Sequence, residues 1–321
     1  MRSQLAVAND VALGLAAERD EILAGLTAPQ KRIDPKYLYD RRGSELFDRI
    51  CTLPEYYPTR TELGLMRRHG ADIAELVGPR ASVIELGAGS SMKVRLLLDH
   101  LVEPVAYVPV DVSGEYLSAQ AEELASDYPR LRIQPVFADF TRPFPLPPHP
   151  VTPERNLVFF PGSTIGNFSR RTAGELLQVM GAVAKPGGAL LIGVDLRKDP
   201  EILHAAYNDR RGVTAEFNLN LLARLNRELG ADFELDRFEH LAIYDEAEGR
   251  VEMRLVSRCA QRVRVDGTLV AFEPGEYIVT EHSHKYSLQE FRELARNAGL
   301  GPRRCWVDRA ELFSLHYLVA G

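Results

Sequence analysis

The fold is decided by the stretch Ser82-Val-Ile-Glu85-Leu-Gly87-Ala-Gly89-Ser90. Its first five residues, with Val83, Ile84 and Leu86 among them, predict a short buried strand, and its two glycines predict a tight turn. A helix is expected directly after the turn, from Met92 to Leu101. This order of strand, glycine-rich turn and helix predicts the opening unit of an α/β domain that holds a ligand against the turn.

Acidic residues at successive strand ends point to a cofactor that carries a ribose. Asp111 closes the second predicted strand and offers a carboxylate to ribose hydroxyls, and Asp139-Phe140 follows the third strand, where enzymes of this kind hold an adenine. The dinucleotide-binding fingerprint requires a third glycine where Met92 stands, which disfavours a nicotinamide-dependent dehydrogenase. Glu85, two residues before Gly87, instead resembles the first motif of the Rossmann-like methyltransferases that use S-adenosylmethionine (SAM).

Strands and helices alternate on both sides of the opening stretch. Further strands are predicted at Val105–Val110, Leu131–Phe137, Asn156–Phe160 and Ala189–Val194, and further helices at Thr61–Leu76, Ser113–Ser126 and Arg171–Ala184. This alternation predicts an α/β fold with a parallel sheet and helices on both of its faces. The alternation stops near Asp199 and returns after Tyr286 with one helix and two strands.

The interruption predicts a second domain. We expect residues 61–198 and 287–321 to form the Rossmann-like domain, and residues 1–60 and 199–286 to form an α+β substrate-binding domain. The length of 321 residues is consistent with about two domains. The cleft between two domains is the usual place for a ligand.

Composition excludes several classes of protein. Lys and Arg number 39 and Asp and Glu number 45, so the net charge of −6 argues against a nucleic-acid partner. No apolar run reaches the ~18 residues that span a bilayer, and acidic residues interrupt the N-terminal helix expected over residues 1–27, so we expect neither a membrane segment nor a signal peptide. Three scattered cysteines predict no disulfide framework and a cytoplasmic protein, and they are Cys51, Cys259 and Cys305.

Longer motifs resemble one family over nearly the whole chain. They are Lys36-Tyr-Leu-Tyr-Asp-Arg-Arg-Gly-Ser-Glu-Leu-Phe-Asp48, Leu53-Pro-Glu-Tyr-Tyr-Pro-Thr-Arg60, Phe160-Pro-Gly-Ser-Thr-Ile-Gly-Asn167, Tyr207-Asn-Asp, Gly212-Val-Thr-Ala-Glu-Phe-Asn218 and Thr280-Glu-His-Ser-His-Lys285. Together they resemble the histidine Nα-methyltransferases of ergothioneine biosynthesis. The resemblance implies a monomeric enzyme that uses SAM to trimethylate the α-amine of L-histidine, through its mono- and dimethyl forms, to hercynine.

The resemblance also implies the site residues. The cofactor-binding positions are Gly87, Lys93, Asp111, Asp139 and Phe140. The substrate-binding positions are Tyr56, Asn167, Tyr207, Met253, Glu281, His282 and Ser283. Tyr39 and Phe47 match residues that close the cavity around the amine and position it together with Asn167. No residue is expected to act as a chemical catalyst, and no metal is expected.

These residue types suit methyl transfer to an amino acid. In-line displacement at a sulfonium needs a neutral amine and depends mainly on positioning. Tyr207 and Asn167 are neutral donors for the substrate carboxylate, whereas a carboxylate near the amine would favour its ammonium form. Glu281 can accept a hydrogen bond from one imidazole N–H, and the hydroxyl of Tyr56 or Ser283 can serve the other ring nitrogen.

Simpler interpretations stay open at several positions. Tyr56 and its neighbour Tyr57 fit core aromatics, Asn167 fits a helix N-cap, and Glu281 fits an exposed strand residue. In an extended strand Glu281 and Ser283 share one face, while His282 and His284 share the other and form a possible metal pair. Because the family that the chain resembles includes relatives that act on tryptophan, a different amino-acid substrate is one alternative. A catalytically silent SAM-binding protein is another.

Overall fold

The structure is a computed structural model that describes residues 16–89, 91–112, 114–148 and 151–321. Expectations for residues 1–15, including part of the N-terminal helix and the absence of a signal peptide, lie outside the described residues. Within the described ranges, no helix combines the length and the apolar character needed to cross a membrane.

The described helices agree closely with the expected ones. In chain order they are α1 (16–27), α2 (Arg41–Cys51), α3 (Tyr57–Val77), α4 (Met92–Leu98), α5 (Gly114–Asp127), α6 (Arg170–Ala184), α7 (Pro200–Tyr207), α8 (Val213–Leu229) and α9 (Leu288–Asn297). Short 3₁₀ helices occur at Pro35–Leu38, Thr164–Asn167 and Leu235–Arg237.

The described strands form one large sheet and two small ones. In chain order they are β1 (Ala81–Leu86), β2 (Ala106–Asp111), β3 (Arg132–Ile133), β4 (Val136–Phe137), β5 (Arg155–Phe160), β6 (Ala189–Asp195), β7 (Phe238–Asp245), β8 (Arg250–Ser257), β9 (Gln261–Val265), β10 (Thr268–Phe272), β11 (Tyr277–His284), β12 (Leu300–Val307) and β13 (Phe313–Ala320). The large sheet has the order β12-β13-β6-β5-β1-β2-β3, with β4 also beside β2.

The prediction of a parallel sheet is confirmed for β1, β2, β5 and β6, and two details differ from it. The last two strands add an antiparallel hairpin, in which β13 pairs with both β6 and β12. Strands joined by so short a loop can only run antiparallel. The single strand expected at Leu131–Phe137 is two short strands, because Pro135 has no N–H to continue the ladder.

Burial on both faces explains why the strands read as continuous apolar runs. On β1, Ile84 belongs to a core cluster that includes Leu176 of α6, whereas Val83 belongs to a second cluster that includes Met66 of α3. Since alternate residues of a strand point to opposite faces, the sheet is covered by helices on both sides.

The order of strands places a switch point beside β1. The chain passes from β1 to β2 on one side and later enters β5 on the other side. Ligands of open α/β sheets bind at the carboxyl ends of the strands at such a point. The turn Gly87–Gly89 after β1 and the loop that follows β5 flank this position.

The described chain divides into two compact units. The sheet unit comprises Cys51–Ala206, Asp245–Arg250 and Ser283–Gly321. The insertion unit comprises the described residues up to Ile50 together with Tyr207–Tyr244 and Val251–His282. The insertion unit contains α8, the hairpin β9–β10 and most of the small sheet β11-β8-β7. The expected division into a Rossmann-like and a substrate-binding domain, with bounds after residues 60, 198 and 286, stays a prediction.

We predict that Gly166→Ala destabilises the chain, because the loop carrying this residue lies directly on the end of β11. A Cβ at Gly166 would stand 2.7 Å from the carbonyl oxygen of His284 and 3.2 Å from its nitrogen, and both atoms are backbone. Overpacking of this kind costs about 1–3 kcal/mol in the free energy of unfolding.

Gly64→Ala is the matched control for chemical denaturation. Gly64 lies in α3. Apart from its chain neighbours and the backbone of its own helix, no atom of the described residues would lie within 4 Å of a Cβ added there. Alanine should stabilise this helix by about 0.5–1 kcal/mol. Equal stability of the two variants would contradict the close contact of Gly166 with His284.

Candidate active site

The turn after β1 requires glycine and is covered by an aromatic ring. Gly87 has a φ of +69°, in the left-handed region, and its N–H donates to the Val110 carbonyl at 2.9 Å. A Cβ at Gly87 would stand 3.5 Å from the Phe140 ring, which packs edge-on against Phe160 with centroids 5.7 Å apart. The structure therefore brings Gly87 and Phe140 together as expected from the sequence.

Strand register places Asp111 next to this turn. Leu86 of β1 pairs with Val110 of β2, so Gly87 and Asp111 follow side by side at the same edge of the sheet. Asp139 is exposed and accepts hydrogen bonds from the Thr141 N–H at 2.9 Å and from its hydroxyl. A turn with two glycines, an aromatic face and nearby carboxylates fit an adenosyl group such as that of SAM.

Lys93 connects this turn to the loop after β5. Its ammonium lies 2.6 Å from the carboxylate of Glu62, which is fully buried on α3. That carboxylate also accepts a hydrogen bond from the Gly162 N–H, at 2.9 Å and 3.0 Å to its two oxygens. Gly193 lies beneath it, since a Cβ there would overlap the Glu62 carboxylate. Lys93 thus contacts a partner that the sequence did not indicate.

Glu85 is a buried carboxyl group directly beneath the cofactor turn. It is 2% exposed and accepts a hydrogen bond from the Tyr107 hydroxyl at 2.5 Å. Burial raises the pKa of Glu85 to about 7, although the hydrogen bond from Tyr107 and the charge of Lys93 act in the opposite direction. The protonated form of this group is therefore favoured in the folded chain up to neutral pH.

This raised pKa predicts the pH dependence of stability in Glu85→Gln. The contribution of Glu85 to stability is fully present below its ordinary pKa of 4.5 and is lost as the pH rises to about 7. Glutamine keeps an acceptor for Tyr107 and cannot ionise. The stability of the variant relative to the wild type should therefore increase between these pH values by on the order of 3 kcal/mol and then stay constant.

Unfolding in denaturant across this pH range measures the difference. Glu75→Gln, which changes an exposed carboxylate on the same unit, is the control and should give a difference that is small at every pH. A difference for Glu85→Gln that does not depend on pH would show that Glu85 is ionised at low cost in the folded chain.

The loop that carries Asn167 is fixed at both ends. Ser163 adopts a left-handed conformation with a φ of +59°, and its hydroxyl accepts a hydrogen bond from the Asp195 N–H at 2.9 Å. Ser169 is the N-cap of α6 and accepts from the Thr172 N–H at 3.2 Å. The alternative interpretation of Asn167 as that cap is therefore wrong.

A buried polar network lies next to this loop. Asp195, at the end of β6, accepts hydrogen bonds from the Tyr57 hydroxyl at 2.8 Å and from the ammonium groups of Lys198 and Lys285 at 2.5 Å and 2.7 Å. Lys285 also donates to the hydroxyl of Ser283 at 2.7 Å. Tyr57 is thus a core residue with a specific polar partner, while its neighbour Tyr56 precedes α3 and is also buried.

The charges in this network shift one another's pKa values. Burial alone would raise the pKa of Asp195, but the positive charges of Lys285 and Lys198 outweigh it and hold that pKa below its usual value. Burial lowers the pKa of Lys198 to about 8 against the attraction of Asp195. The network is held together by one carboxylate that faces two lysines.

In the insertion unit, Tyr207 is held through its backbone. The ring of His240 bonds the Tyr207 carbonyl oxygen at 2.8 Å through Nε2 and the amide nitrogen of Asn218 at 2.9 Å through Nδ1. Burial lowers the pKa of His240, so the neutral ring is favoured, with Nε2–H donating and Nδ1 accepting. His240 therefore positions Tyr207, a role that the sequence did not predict.

The two residues after Tyr207 have structural roles. Asn208 exchanges two hydrogen bonds with the backbone of Ala242 on β7, at 2.9 Å and 3.0 Å. Asp209 accepts from the N–H groups of Val213 and Thr214 at the start of α8, at 3.0 Å and 2.8 Å. The Tyr-Asn-Asp motif is thus one binding candidate followed by two anchors.

The two residues expected to enclose the amine lie in one aromatic cluster. Tyr39 packs edge-on against Phe47 with ring centroids 5.4 Å apart, and against Phe217 of α8 at 5.5 Å. Phe217 lies in the motif that begins at Gly212, but its packing role was not predicted.

The extended segment expected from Thr280 onward is strand β11, which continues to His284. Glu281 is only 8% exposed, so its interpretation as an exposed strand residue is wrong. His282 faces Glu252, with Nε2 2.9 Å from the carboxylate, and Met253 is buried with its carbonyl accepting from the Thr280 hydroxyl at 3.2 Å. Among the described residues, no three His, Cys, Asp or Glu side chains are placed to hold a metal ion.

The cysteines behave as the composition predicts. Cys51, Cys259 and Cys305 all lie in the described part of the chain, and none of them is joined in a disulfide there. They are each half-buried and belong to neither the cofactor turn nor the buried network.

A switch point with a glycine turn, an aromatic cover and acidic strand ends defines a nucleotide-cofactor enzyme of the α/β class. Residues 18–320 match the family described as histidine-specific methyltransferases that depend on SAM. The chain is 42% identical over 322 residues to the histidine N-alpha-methyltransferase of Mycolicibacterium smegmatis, covering 98% of this chain and 99% of that protein. It is also 42% identical over 309 residues to the protein of the same name from Mycobacterium tuberculosis, covering 94% of each.

These similarities show that the chain belongs to the SAM-dependent, histidine-specific methyltransferase family. A more distant relative is the L-tryptophan methyltransferase of Psilocybe serbica, which is 26% identical over 333 residues and covers 94% of this chain and 92% of that protein.

Proposed function

We propose that this enzyme transfers three methyl groups from SAM to the α-amine of L-histidine and gives hercynine, the first step of ergothioneine biosynthesis. Family membership over 18–320 supports the reaction class and the cofactor. In the structure, the observation that carries the proposal is the link from the cofactor turn, through Lys93 and Glu62, to the loop that bears Asn167.

The cofactor-binding role belongs to the sheet unit. Gly87 leaves room for backbone approach, Asp111 offers a carboxylate to the ribose hydroxyls, and Asp139 and Phe140 are the proposed contacts of the adenine. Lys93, held by Glu62, lies on the loop side of the same turn. SAM supplies the electrophilic methyl group when it is bound there.

The chain's task in this reaction is positioning. The α-amine must be neutral and aimed at the methyl carbon, which needs orientation rather than a chemical catalyst. Asn167, on a loop fixed by Ser163 and Gly166, is the first proposed hydrogen-bond donor to the substrate carboxylate, and Tyr56, immediately before the first turn of α3, is a candidate partner of the imidazole ring. Tyr207, fixed by His240, is the second proposed donor to that carboxylate.

Recognition of the side chain is assigned to β11 and its neighbour β8. The carboxylate of Glu281 is proposed to accept from one imidazole N–H, and the hydroxyl of Ser283 to serve the other nitrogen. Met253 forms an apolar wall and His282 contributes its backbone. Tyr39 and Phe47 are proposed to exclude water around the amine.

Mass spectrometry tests the reaction directly. Histidine incubated with SAM and the protein should gain three methyl groups, with mono- and dimethyl forms as intermediates. Tryptophan in the same mixture is the competing substrate, since a tryptophan methyltransferase is among the relatives. Preferential methylation of tryptophan would show that histidine is the wrong substrate and leave the proposed reaction class unchanged. Methylation of neither amino acid would reject the proposal.

Glu281→Ala should change the preference between these two substrates. Loss of a hydrogen bond to a charged group should reduce kcat/KM for histidine roughly 10- to 150-fold. The vacated volume should admit larger apolar side chains against the adaptable wall of Met253, so tryptophan should be methylated relatively better.

Glu252→Gln is the matched control for this competition experiment. Glu252 is a second buried carboxylate on the neighbouring strand, but it faces His282 and Arg254. This control should keep the wild-type preference for histidine. If Glu281→Ala keeps it as well, Glu281 does not recognise the ring.

We further infer a cytoplasmic monomer that binds small molecules only. Three cysteines that form no disulfide suit a reducing compartment, and the net charge of −6 offers no general attraction for nucleic acid. Size-exclusion chromatography with light scattering tests the monomer, for which a mass near 35.9 kDa is expected.

A further inference from the structure

The hydrogen bond between Lys285 and Ser283 has only one possible direction. The ammonium group of Lys285 lies 2.7 Å from the Ser283 hydroxyl oxygen. An ammonium group has three donors and no acceptor, so the hydroxyl must accept in this pair. The hydroxyl's own proton is therefore directed away from Lys285.

Lys285 itself is held rigidly. Its side chain is 0% exposed and pairs with Asp195 at 2.7 Å. Its backbone N–H donates to the Gly249 carbonyl at 2.7 Å, and its carbonyl accepts from Arg170 at 3.2 Å. A lysine fixed in this way keeps the serine hydroxyl as an acceptor on the side of Lys285, so the hydroxyl can donate only in other directions.

The charge balance shows that Lys285 is more than a counter-ion for Asp195. Lys198 already donates to Asp195 at 2.5 Å, and the Tyr57 hydroxyl donates at 2.8 Å. The carboxylate would therefore keep a cation and a hydroxyl if Lys285 were replaced. Burying Lys285 in addition to Lys198 costs desolvation free energy. Compensating the charge of Asp195 does not by itself require that second lysine.

We propose that Lys285 is a positioning residue for substrate recognition, which makes Ser283 a hydrogen-bond donor to the imidazole ring and so selects one neutral tautomer of histidine. A neutral imidazole has one nitrogen that accepts and one that donates. Ser283 serves the accepting nitrogen, which leaves the N–H of the other nitrogen for Glu281, on the same face of β11. This inference rests on histidine being the substrate, as proposed above.

A double-mutant cycle tests whether Lys285 acts through Ser283. Histidine affinity is measured by calorimetry, in the presence of S-adenosylhomocysteine, for the wild type, Lys285→Met, Ser283→Ala and the double variant. Relative to the wild type, Lys285→Met should weaken histidine binding about 10- to 100-fold. Relative to Ser283→Ala, the double variant should weaken it about twofold or less. Equal losses in both backgrounds would overturn the proposal.

Lys198→Met is the matched control. It removes the other lysine from the same carboxylate but not the contact with Ser283. Its effect on histidine affinity should be the same whether residue 283 is serine or alanine. Affinity for S-adenosylhomocysteine, measured separately, should be unchanged in Lys285→Met, because this residue is not assigned to the cofactor.

Nitrogen NMR of bound histidine provides a test that needs no variant and therefore does not depend on Lys285→Met folding. With ¹⁵N-labelled histidine bound to the wild type, one ring nitrogen should be protonated and the other should not. Two protonated ring nitrogens would overturn the proposal, since Ser283 could then donate to neither.

The outcomes separate this inference from the proposed function. If the wild type does not bind or methylate histidine, the function itself is wrong. If it does so with additive effects in the cycle, the function stands and the role of Lys285 is rejected.

Discussion

The ionised carboxylate of Asp195, buried at the end of β6, is the constraint on which the arrangement of this region depends. A charge that is 1% exposed must be compensated, and it is compensated by Lys198, Lys285 and the hydroxyl of Tyr57. The backbone of Asp195 is used as well, since its N–H donates to Ser163 and its carbonyl accepts from the Tyr286 N–H at 3.1 Å. Removing one partner of a buried pair commonly costs about 3–5 kcal/mol, and three partners share the compensation of this charge.

Four separate parts of the chain meet at Asp195, three of them at its carboxylate and Ser163 at its backbone N–H. Tyr57 begins α3, Ser163 lies after β5, Asp195 ends β6, and Lys285 follows β11. The same loop after β5 is joined to the cofactor side through the bond from Gly162 to Glu62 and Lys93. The loop that presents Asn167 is therefore anchored twice, by the carboxylate of Glu62 through Gly162 and by the backbone N–H of Asp195 through Ser163.

The sequence predicts the strands and the turn well because their signals are local. Strand β1 is buried on both faces and is mostly apolar, with Ser82 and Glu85 as its polar residues, and Gly87 occupies a conformation that glycine favours. The split of the strand expected at 131–137 has an equally local cause in Pro135. The buried charges could not be predicted in this way, since Glu62 and Gly162 are 100 residues apart and Tyr57 and Asp195 are 138 residues apart. Nothing in the local pattern around Glu62 or Asp195 distinguishes them from surface carboxylates.

The motifs that carried the family resemblance contain residues of two kinds, and only the structure separates them. In Tyr207-Asn-Asp, the last two side chains bond backbone groups, which leaves Tyr207 as the candidate for binding. In the motif that ends at Lys285, Ser283 is the candidate for binding, and the ammonium group of Lys285 donates a hydrogen bond to its hydroxyl. Tyr207 is held by His240, whose neutral ring is favoured. Ser283 is held by Lys285, whose charge is buried and paired with Asp195. Such an arrangement supplies oriented hydrogen bonds without adding a free carboxylate, which would favour the ammonium form of an amine that must be neutral to react.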